Sequence, residues 1–193
     1  MDELGPKILN FWFGVPGSDI FGKSRKEWWV GTDFDKPFKD DFEPAYKAIM
    51  AGEHDAAIAE KPEHSLAAII LLDQGTRSMY RDLPEAFAGD EKAVKICRAG
   101  LEKGWAEPLK QISPFHYSFF CMPLLHSEKL EEQEMSLKCA VGEPGAATKN
   151  HHRIIQRFGR FPTRNKILGR QNTPEEEAFL ATEWTGFMKK EGY

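Results

Sequence analysis

The 193-residue chain has little cysteine, little excess charge and no long apolar run, and each shortage excludes a class of protein. Its three cysteines, Cys97, Cys121 and Cys139, are an odd number at unrelated spacings, which argues against a disulfide framework or a zinc site made of cysteines alone. The longest apolar run, at 66–72, is far shorter than the roughly 20 residues that span a bilayer. The formal net charge of −4 provides no broad basic surface for nucleic acid. We therefore expect a protein of the reducing cytoplasm, with neither nucleic acid nor membrane as its partner.

Familiar catalytic signatures are also missing. The sequence contains neither the G-x-S-x-G of a hydrolase nucleophile nor the C-x-x-C of a redox site. We likewise expect no glycine-rich phosphate cradle, and the acidic N-terminus lacks the basic region of a secretory signal. The sequence therefore does not identify a reaction.

Apolar spacing predicts one helix after another, because nothing alternates with a period of two for long enough to form a strand. One apolar face is made of Phe34, Phe38, Phe42, Ala45 and Ile49. Further helices are predicted over 4–13, 24–29, 63–74, 90–103, 114–126, 128–141, 146–158 and 173–190. About nine helices with short connections predict one all-α domain over 1–193, without a 34-residue repeat.

Asp73 stands at the end of the most apolar predicted helix, on the same face as Ile69. A carboxylate at a helix C-terminus is disfavoured by the helix dipole, and a buried one needs a partner. Arg77 and Arg81 follow within reach of it. One interpretation is an internal Asp–Arg brace, and the other places these residues and Tyr80 around a ligand pocket; the two are compatible.

Four stretches carry a family resemblance: ILNFWFG at 8–14, LLDQGTRSMYRDLPEAFAGD at 71–90, PLLHSEKLEEQ at 123–133 and HHRIIQRFGRFPTRNKILGRQNTPEE at 151–176. Together they resemble the bacterial family called domain of unknown function 924. The resemblance implies an all-helical fold, a right-handed helical array similar to tetratricopeptide-repeat proteins but without their repeat consensus. It implies no established activity.

The stretch at 151–176 is rich in arginine. Arg157 and Arg160 lie on one stripe of the predicted helix, opposite its apolar face. One interpretation is a solvated face whose cations complement the helix dipole. The other is an anion site in which these side chains, with Arg164 and Asn165, donate to a carboxylate or phosphate, and Arg170 is a weaker candidate.

Two histidines are candidates for chemistry. His126 and Glu128 flank a helix junction, where helix capping by Ser127 explains them as well as catalysis does. In the functional interpretation His126 is a general base or ligand and Glu128 orients it. His151 falls on an apolar helix face, which suits a core residue as well as a catalytic one. No two of these residues, or of these and Asp73, have the i, i+3 or i, i+4 spacing by which two side chains of one helix bind a metal ion. We therefore expect no metal and no other cofactor.

These observations favour a cytoplasmic helical binding module. Its groove would lie where residues 73–81, 126–128 and 151–165 meet, and would take an anionic small molecule or a peptide carboxylate. The alternative is a hydrolase-type enzyme that uses His126 or His151 with a carboxylate, with or without a metal. The sequence leaves the oligomeric state open.

Overall fold

The computed structural model describes residues 1–28, 34–140 and 142–184, and all regular structure in this part of the chain is helical. Because these residues contain no strand, the predicted all-α class is confirmed. None of the helices in the same ranges is long and apolar enough to cross a membrane. Trp29, Val141 and the last turns of the helix predicted over 173–190 lie outside the described residues.

The first two helices pack aromatic rings against each other. Helices α1 (Leu4–Phe13) and α2 (Asp35–Ala51) lie where the apolar spacing predicts them, joined in part by a 3₁₀ turn (Lys26–Trp28). Trp12 of α1 meets Phe38 of α2 edge-on, with ring centroids 5.6 Å apart. Such aromatic pairs stabilise a core beyond the area that they bury.

A continuous helical rod runs through the centre of the molecule. After the short helix α3 (Asp55–Ile58), the rod consists of α4 (Pro62–Ile69), a π-helical segment (Ile70–Gly75) and α5 (Thr76–Met79). Every residue of the run at 66–72 is fully buried, as predicted from its lack of a polar face. The π-helical segment contains Asp73, and such wide turns are frequent at functional sites.

Three further helices pack against this rod: α6 (Asp90–Glu102), α7 (Ala106–Ile112) and α8 (Pro114–His126). Helix α9 (Leu130–Lys138) packs on α8. The prediction that Ser127 caps a helix beginning at residue 128 is wrong, because Ser127 and Lys129 both have extended backbone. The Ser127 hydroxyl instead accepts from the Lys129 N–H at 3.1 Å and donates to the Glu132 carboxylate.

The C-terminal part has a small core of its own. It comprises α10 (Ala146–Phe158), a 3₁₀ turn (Pro162–Arg164) and α11 (Pro174–Phe179), which continues as a π-helical segment (Leu180–Trp184). Its core residues are Ile154, Ile155, Phe161 and Phe179, and α10 packs on α8 and α9. The predicted start of the last helix is confirmed, since Thr173 and Glu176 form a capping box. The described residues hold eleven α-helices rather than nine: α3, α5 and α7 were not predicted, and the described part of the helix predicted over 24–29 holds only the 3₁₀ turn.

Candidate functional site

The centre of the candidate site is a hydrogen bond between a buried carboxylate and an imidazole. His126, the last residue of α8, donates from Nδ1 to Asp73 at 2.7 Å from Oδ1 and 3.0 Å from Oδ2. Asp73 is fully buried, whereas the His126 side chain keeps 17% of its surface exposed. Because Nδ1 faces the carboxylate, Nε2 of His126 is left for other partners.

Asp73 is ionised despite its burial. Burial would raise the pKa of its carboxyl, but the neighbouring His126 and Arg77 outweigh burial and hold that pKa well below its usual range. Arg77 Nη1 lies 3.3 Å from Asp73 Oδ1, and Gln74 donates to the other carboxylate oxygen. A buried carboxylate with this many donors holds its imidazole partner in one orientation.

A second carboxylate, Asp90 at the start of α6, connects two arginines. Arg77 donates to both Asp90 oxygens, at 2.8 and 3.0 Å, and Arg164 donates to Oδ2 at 3.2 Å. The Arg164 guanidinium also donates to the backbone carbonyl of His126 at 2.8 Å. The three stretches that the sequence predicts to meet, around 73–81, 126–128 and 151–165, therefore do meet.

Arg164 is held between two aromatic rings. Its guanidinium lies 4.7 Å from the Phe87 centroid and 4.6 Å from the Phe161 centroid, and only 13% of its side chain is exposed. Burial, followed by the nearby charge of Arg77, lowers the pKa of Arg164 to about 10. The nearby carboxylates therefore do not fully offset the effect of burial and of Arg77 on the pKa of this guanidinium.

Glu128 joins the C-terminal part to the rest of the molecule. Its carboxylate accepts two hydrogen bonds from Arg170, at 2.6 and 2.9 Å, and one from the backbone N–H of Phe161 at 2.8 Å. Burial would raise the pKa of Glu128, but the hydrogen bonds from Arg170 and Phe161, together with the charges of Arg170 and Arg164, outweigh burial and lower that pKa. In the structure Glu128 pairs with Arg170 and has no hydrogen bond to His126 among the described residues, so the prediction that Glu128 orients this imidazole is wrong. Asp73 orients it instead.

His151 stands close to His126, with 6.3 Å between the ring centroids. Its Nδ1 lies 2.8 Å from the carbonyl oxygen of Ala147, which can only accept, so Nδ1 carries the hydrogen. Burial, and then the charge of His126, lower the pKa of His151 to about 4. His151 is therefore neutral at pH 7, with a bare Nε2.

An open cleft of about 420 Å³ lies beside these groups. We call it the His126 cleft, and its lining includes Phe87, Asp90, His126, Glu128, Lys129 and Arg164. A volume of this order suits a small molecule. The cleft lies between the main bundle and the C-terminal part.

The predicted arginine stripe lies outside this cleft. Arg157 donates to Glu175 and Glu183, each at 2.8 Å, on the exposed side of the C-terminal part. Arg160 donates to both oxygens of Glu176, at 2.7 and 2.8 Å. Both guanidiniums thus form ion pairs within the C-terminal part of the chain.

The remaining predicted site residues also have structural partners. Asn165 is fully buried and donates to Asn172 at 2.8 Å, and its Oδ1 has no partner among the described residues. Arg81 donates to Asp35 at 2.7 Å, on the exposed side of α2. Tyr80 donates to Glu43 at 2.8 Å, and it lies outside the lining of the His126 cleft.

Sequence reasoning missed Asp90 and Phe87. Asp90 appears in the sequence as an ordinary acidic residue at a helix start, which the helix dipole favours. No signal in the sequence distinguishes Asp90, because eleven Asp and Glu residues lie between Arg81 and Arg157 and any of them could pair with these arginines.

Two features of the sequence could suggest a metal or a nucleotide. Within residues 1–28, 34–140 and 142–184 no group of three or more His, Cys, Asp or Glu side chains is arranged to hold a metal ion. The string GSDIFGKS at 17–24 matches the G-x-x-x-x-G-K-S pattern, so the expectation of no such motif was wrong. A phosphate loop needs a strand before it and a helix after it, whereas here α1 precedes turns and a single 3₁₀ turn follows.

Comparisons with known proteins extend the resemblance but name no activity. Residues 8–183 match the family described as bacterial protein of unknown function, DUF924. A solved structure of a protein of unknown function, ATU0120 from Agrobacterium tumefaciens, superposes with a TM-score of 0.80 at 30% sequence identity. That similarity covers 93% of this chain and 97% of the other. No curated protein matches the chain.

Proposed function

Because the chain belongs to the bacterial DUF924 family, whose function is unknown, no activity follows from its relatives, and we propose from the geometry that it binds a small anionic molecule in the His126 cleft. The observation that carries this proposal is the position of Arg164 and His126 side by side on the cleft wall. The ligand class is a carboxylate or a phosphate, either free or at the end of a peptide.

The first support is the hydrogen-bonding capacity that remains in the cleft. Its carboxylates have partners: Asp90 accepts from two arginines, and Glu128 accepts from Arg170 and from a backbone N–H. Two further lining carboxylates, Glu91 and Glu132, pair with Lys95 and with the Ser127 hydroxyl. Its cations have donors to spare, since Arg164 uses two of the five N–H groups of a guanidinium on described residues. A ligand rich in acceptors complements such a surface.

The second support is electrostatic. Burial and the neighbouring Arg77 lower the pKa of Arg164 to about 10, so an anion bound beside it would stabilise the charged form of this guanidinium. Lys129 lines the same cleft, and its ammonium group lies 3.8 Å from Glu132. It is therefore placed to add charge at the rim.

The test measures the melting temperature and the Kd for succinate, citrate, inorganic phosphate and a short peptide with a free or amidated C-terminus. We expect at least one anion to raise the melting temperature, as any ligand specific for the native state does. Lys129→Ala should weaken its binding by roughly twofold to fivefold, the value of an exposed charge pair, since 69% of this side chain is exposed.

The matched control is Lys138→Ala, which removes an exposed lysine of the same helix α9 from a position outside the cleft. It should leave the Kd unchanged. The proposal is wrong if no anion of the panel stabilises the protein. It is also wrong if Lys129→Ala and Arg164→Lys both bind the anion as tightly as the wild type does.

The Asp73–His126 pair favours a second candidate function, an enzyme of the hydrolase type. A neutral His126 with Nδ1–H fixed on the carboxylate has a bare Nε2 that can take a proton from water, while ionised Asp73 stabilises the imidazolium that forms. The test assays ester and phosphate-ester substrates at pH 5–9. His126→Gln should abolish any turnover, and a turnover that survives this substitution contradicts the hydrolase.

A further inference from the structure

A second cavity, of about 360 Å³, lies at another place in the fold. It is enclosed by α1, the loop that follows α1, the start of α4 and the junction between α7 and α8. Its wall is mostly apolar and includes Pro6, Leu9, Phe21 and Ile112. Two histidines, His64 and His116, complete that wall, although their residues are only 3% and 4% exposed. We call it the α1 cavity.

The hydrogen positions on His116 follow from its partners. The hydroxyl of Ser113 accepts a hydrogen bond from the backbone N–H of His116 and lies 2.7 Å from His116 Nδ1. Because the hydroxyl hydrogen has no other acceptor in the part of the chain that the structure describes, it points to Nδ1. Burial lowers the pKa of His116 to about 4, so the ring is neutral and carries its hydrogen on Nε2. This Nε2–H has no acceptor among the described residues and still reaches accessible surface, which places it on the cavity wall.

His64 faces acceptors on both sides of its ring. Its Nδ1 lies 2.9 Å from the carbonyl oxygen of Ala57, which can only accept, so Nδ1 carries a hydrogen. Its Nε2 lies 3.5 Å from Oδ1 of Asp2 at the cavity rim, so the Asp2 carboxylate already faces it. The polar group that the cavity wall offers to a ligand is thus the imidazole donor of His116.

The rim of the cavity has little unpaired positive charge. Lys61 and Asp2 form an ion pair of 2.6 Å, and Glu63 adds an exposed carboxylate. An anion gains no attraction from such a rim, and burying any charged group in an apolar cavity is costly. An uncharged ligand avoids both penalties.

We propose that the α1 cavity binds an uncharged small molecule that has an apolar body and one amide or hydroxyl group. Its oxygen accepts from His116 Nε2–H, and its body replaces water against the apolar wall. Such a mostly apolar pocket with a few convergent polar groups is the usual form of a small-molecule site. This proposal is independent of the His126 cleft.

The probes are benzamide, toluene and benzoate, which share a ring and differ in the polar group. Binding is measured on the full chain by NMR titration, with the His116 ring nitrogens observed directly. We expect benzamide to bind more tightly than toluene or benzoate and to shift the Nε2 resonance of His116. His116→Phe keeps an aromatic ring against Phe13, which the imidazole stacks on at 4.0 Å, and should weaken benzamide by roughly fivefold to tenfold, the value of one hydrogen bond, without weakening toluene.

A second variant does not depend on the histidines. Ile112→Trp fills the cavity from its rim and should abolish binding of benzamide, whereas Leu130→Trp, the same enlargement at an exposed residue of α9, should not. The proposal is overturned if benzamide binds no better than benzoate, or if binding is equal in wild type, His116→Phe and Ile112→Trp.

Discussion

Asp73 and His126 lie 53 residues apart in the chain, and the imidazole donates to the carboxylate at 2.7 Å. The hydrogen bond joins the π-helical end of the central rod to the last residue of α8. Because the carboxylate is fully buried, it is stable as an anion only while its donors are in place. The same contact therefore supports the fold and orients the imidazole.

Replacing the charge at Asp73 tests this double role. Asp73→Asn keeps the shape of the side chain but leaves His126 without its anion and Arg77 with Asp90 alone, so the free energy of unfolding should fall by about 3–5 kcal/mol at pH 7. Urea unfolding measures the loss. Asp40→Asn is the control, because its carboxylate forms an exposed pair with Lys36, and this variant should unfold close to wild type.

Acid should weaken the wild type through the same carboxylate. The pKa of Asp73 is lowered in the native state, so its contribution to stability is present above the unfolded value of about 3.9 and is lost as the pH falls further. Asp73→Asn lacks this group, so its stability should change less between pH 5 and pH 2.5. Parallel curves for the two proteins would contradict the assignment.

Protonation of His151 should destabilise the protein over a different pH range. Its native pKa of about 4 lies below the unfolded value of about 6.5, so the unfolded chain binds the proton first as the pH falls. Stability that is present above about pH 6.5 is therefore lost between there and pH 4, by on the order of 2 kcal/mol. His151→Gln should reduce this loss. An imidazole resonance of His151 that titrates near pH 6.5 would show the ring to be accessible.

The two arginines of the predicted stripe should differ in their effect on stability. Arg160→Ala leaves Glu176, which is 2% exposed, without its bidentate partner inside a capping box. Arg157→Ala leaves only the exposed carboxylates of Glu175 and Glu183. We expect a clearly lower urea midpoint for Arg160→Ala and almost no change for Arg157→Ala. Equal midpoints would mean that Glu176 finds another donor.

The part of the fold that depends on local pattern could be predicted from the sequence. The apolar run at 66–72 specifies a central helix, and Thr173 with Glu176 specifies a helix start, because each signal lies within one or two turns. Asp73 beside Arg77 could be predicted for the same reason. The Asp73–His126 contact was expected only as a meeting of segments, because no local rule pairs residues 53 apart.

The arginines could not be assigned from the sequence, because a guanidinium pairs with whichever carboxylate the fold brings near. Arg164 reaches Asp90, 74 residues away, while Arg160 stays with Glu176 in its own part of the chain. The position of the α6 start, and so of Asp90, relative to the central rod is set by packing and not by a local sequence pattern. A β-carbon built on Gly89 would lie 2.2 Å from the carbonyl oxygen of Leu72.

That close approach yields a last prediction, on Gly89. Gly89→Ala forces the start of α6 away from the central rod, since neither backbone can yield without breaking helical hydrogen bonds. We expect a loss of about 2 kcal/mol or more in urea unfolding. Because Asp90 moves with residue 89, the ion pairs with Arg77 and Arg164 should loosen, and anion binding in the His126 cleft should weaken as well.

Gly145→Ala is the control, because a β-carbon there meets nothing within 4 Å. If both glycine variants unfold at the wild-type midpoint, the rod and α6 are not in backbone contact, and Asp90 must be held in place by its arginines alone.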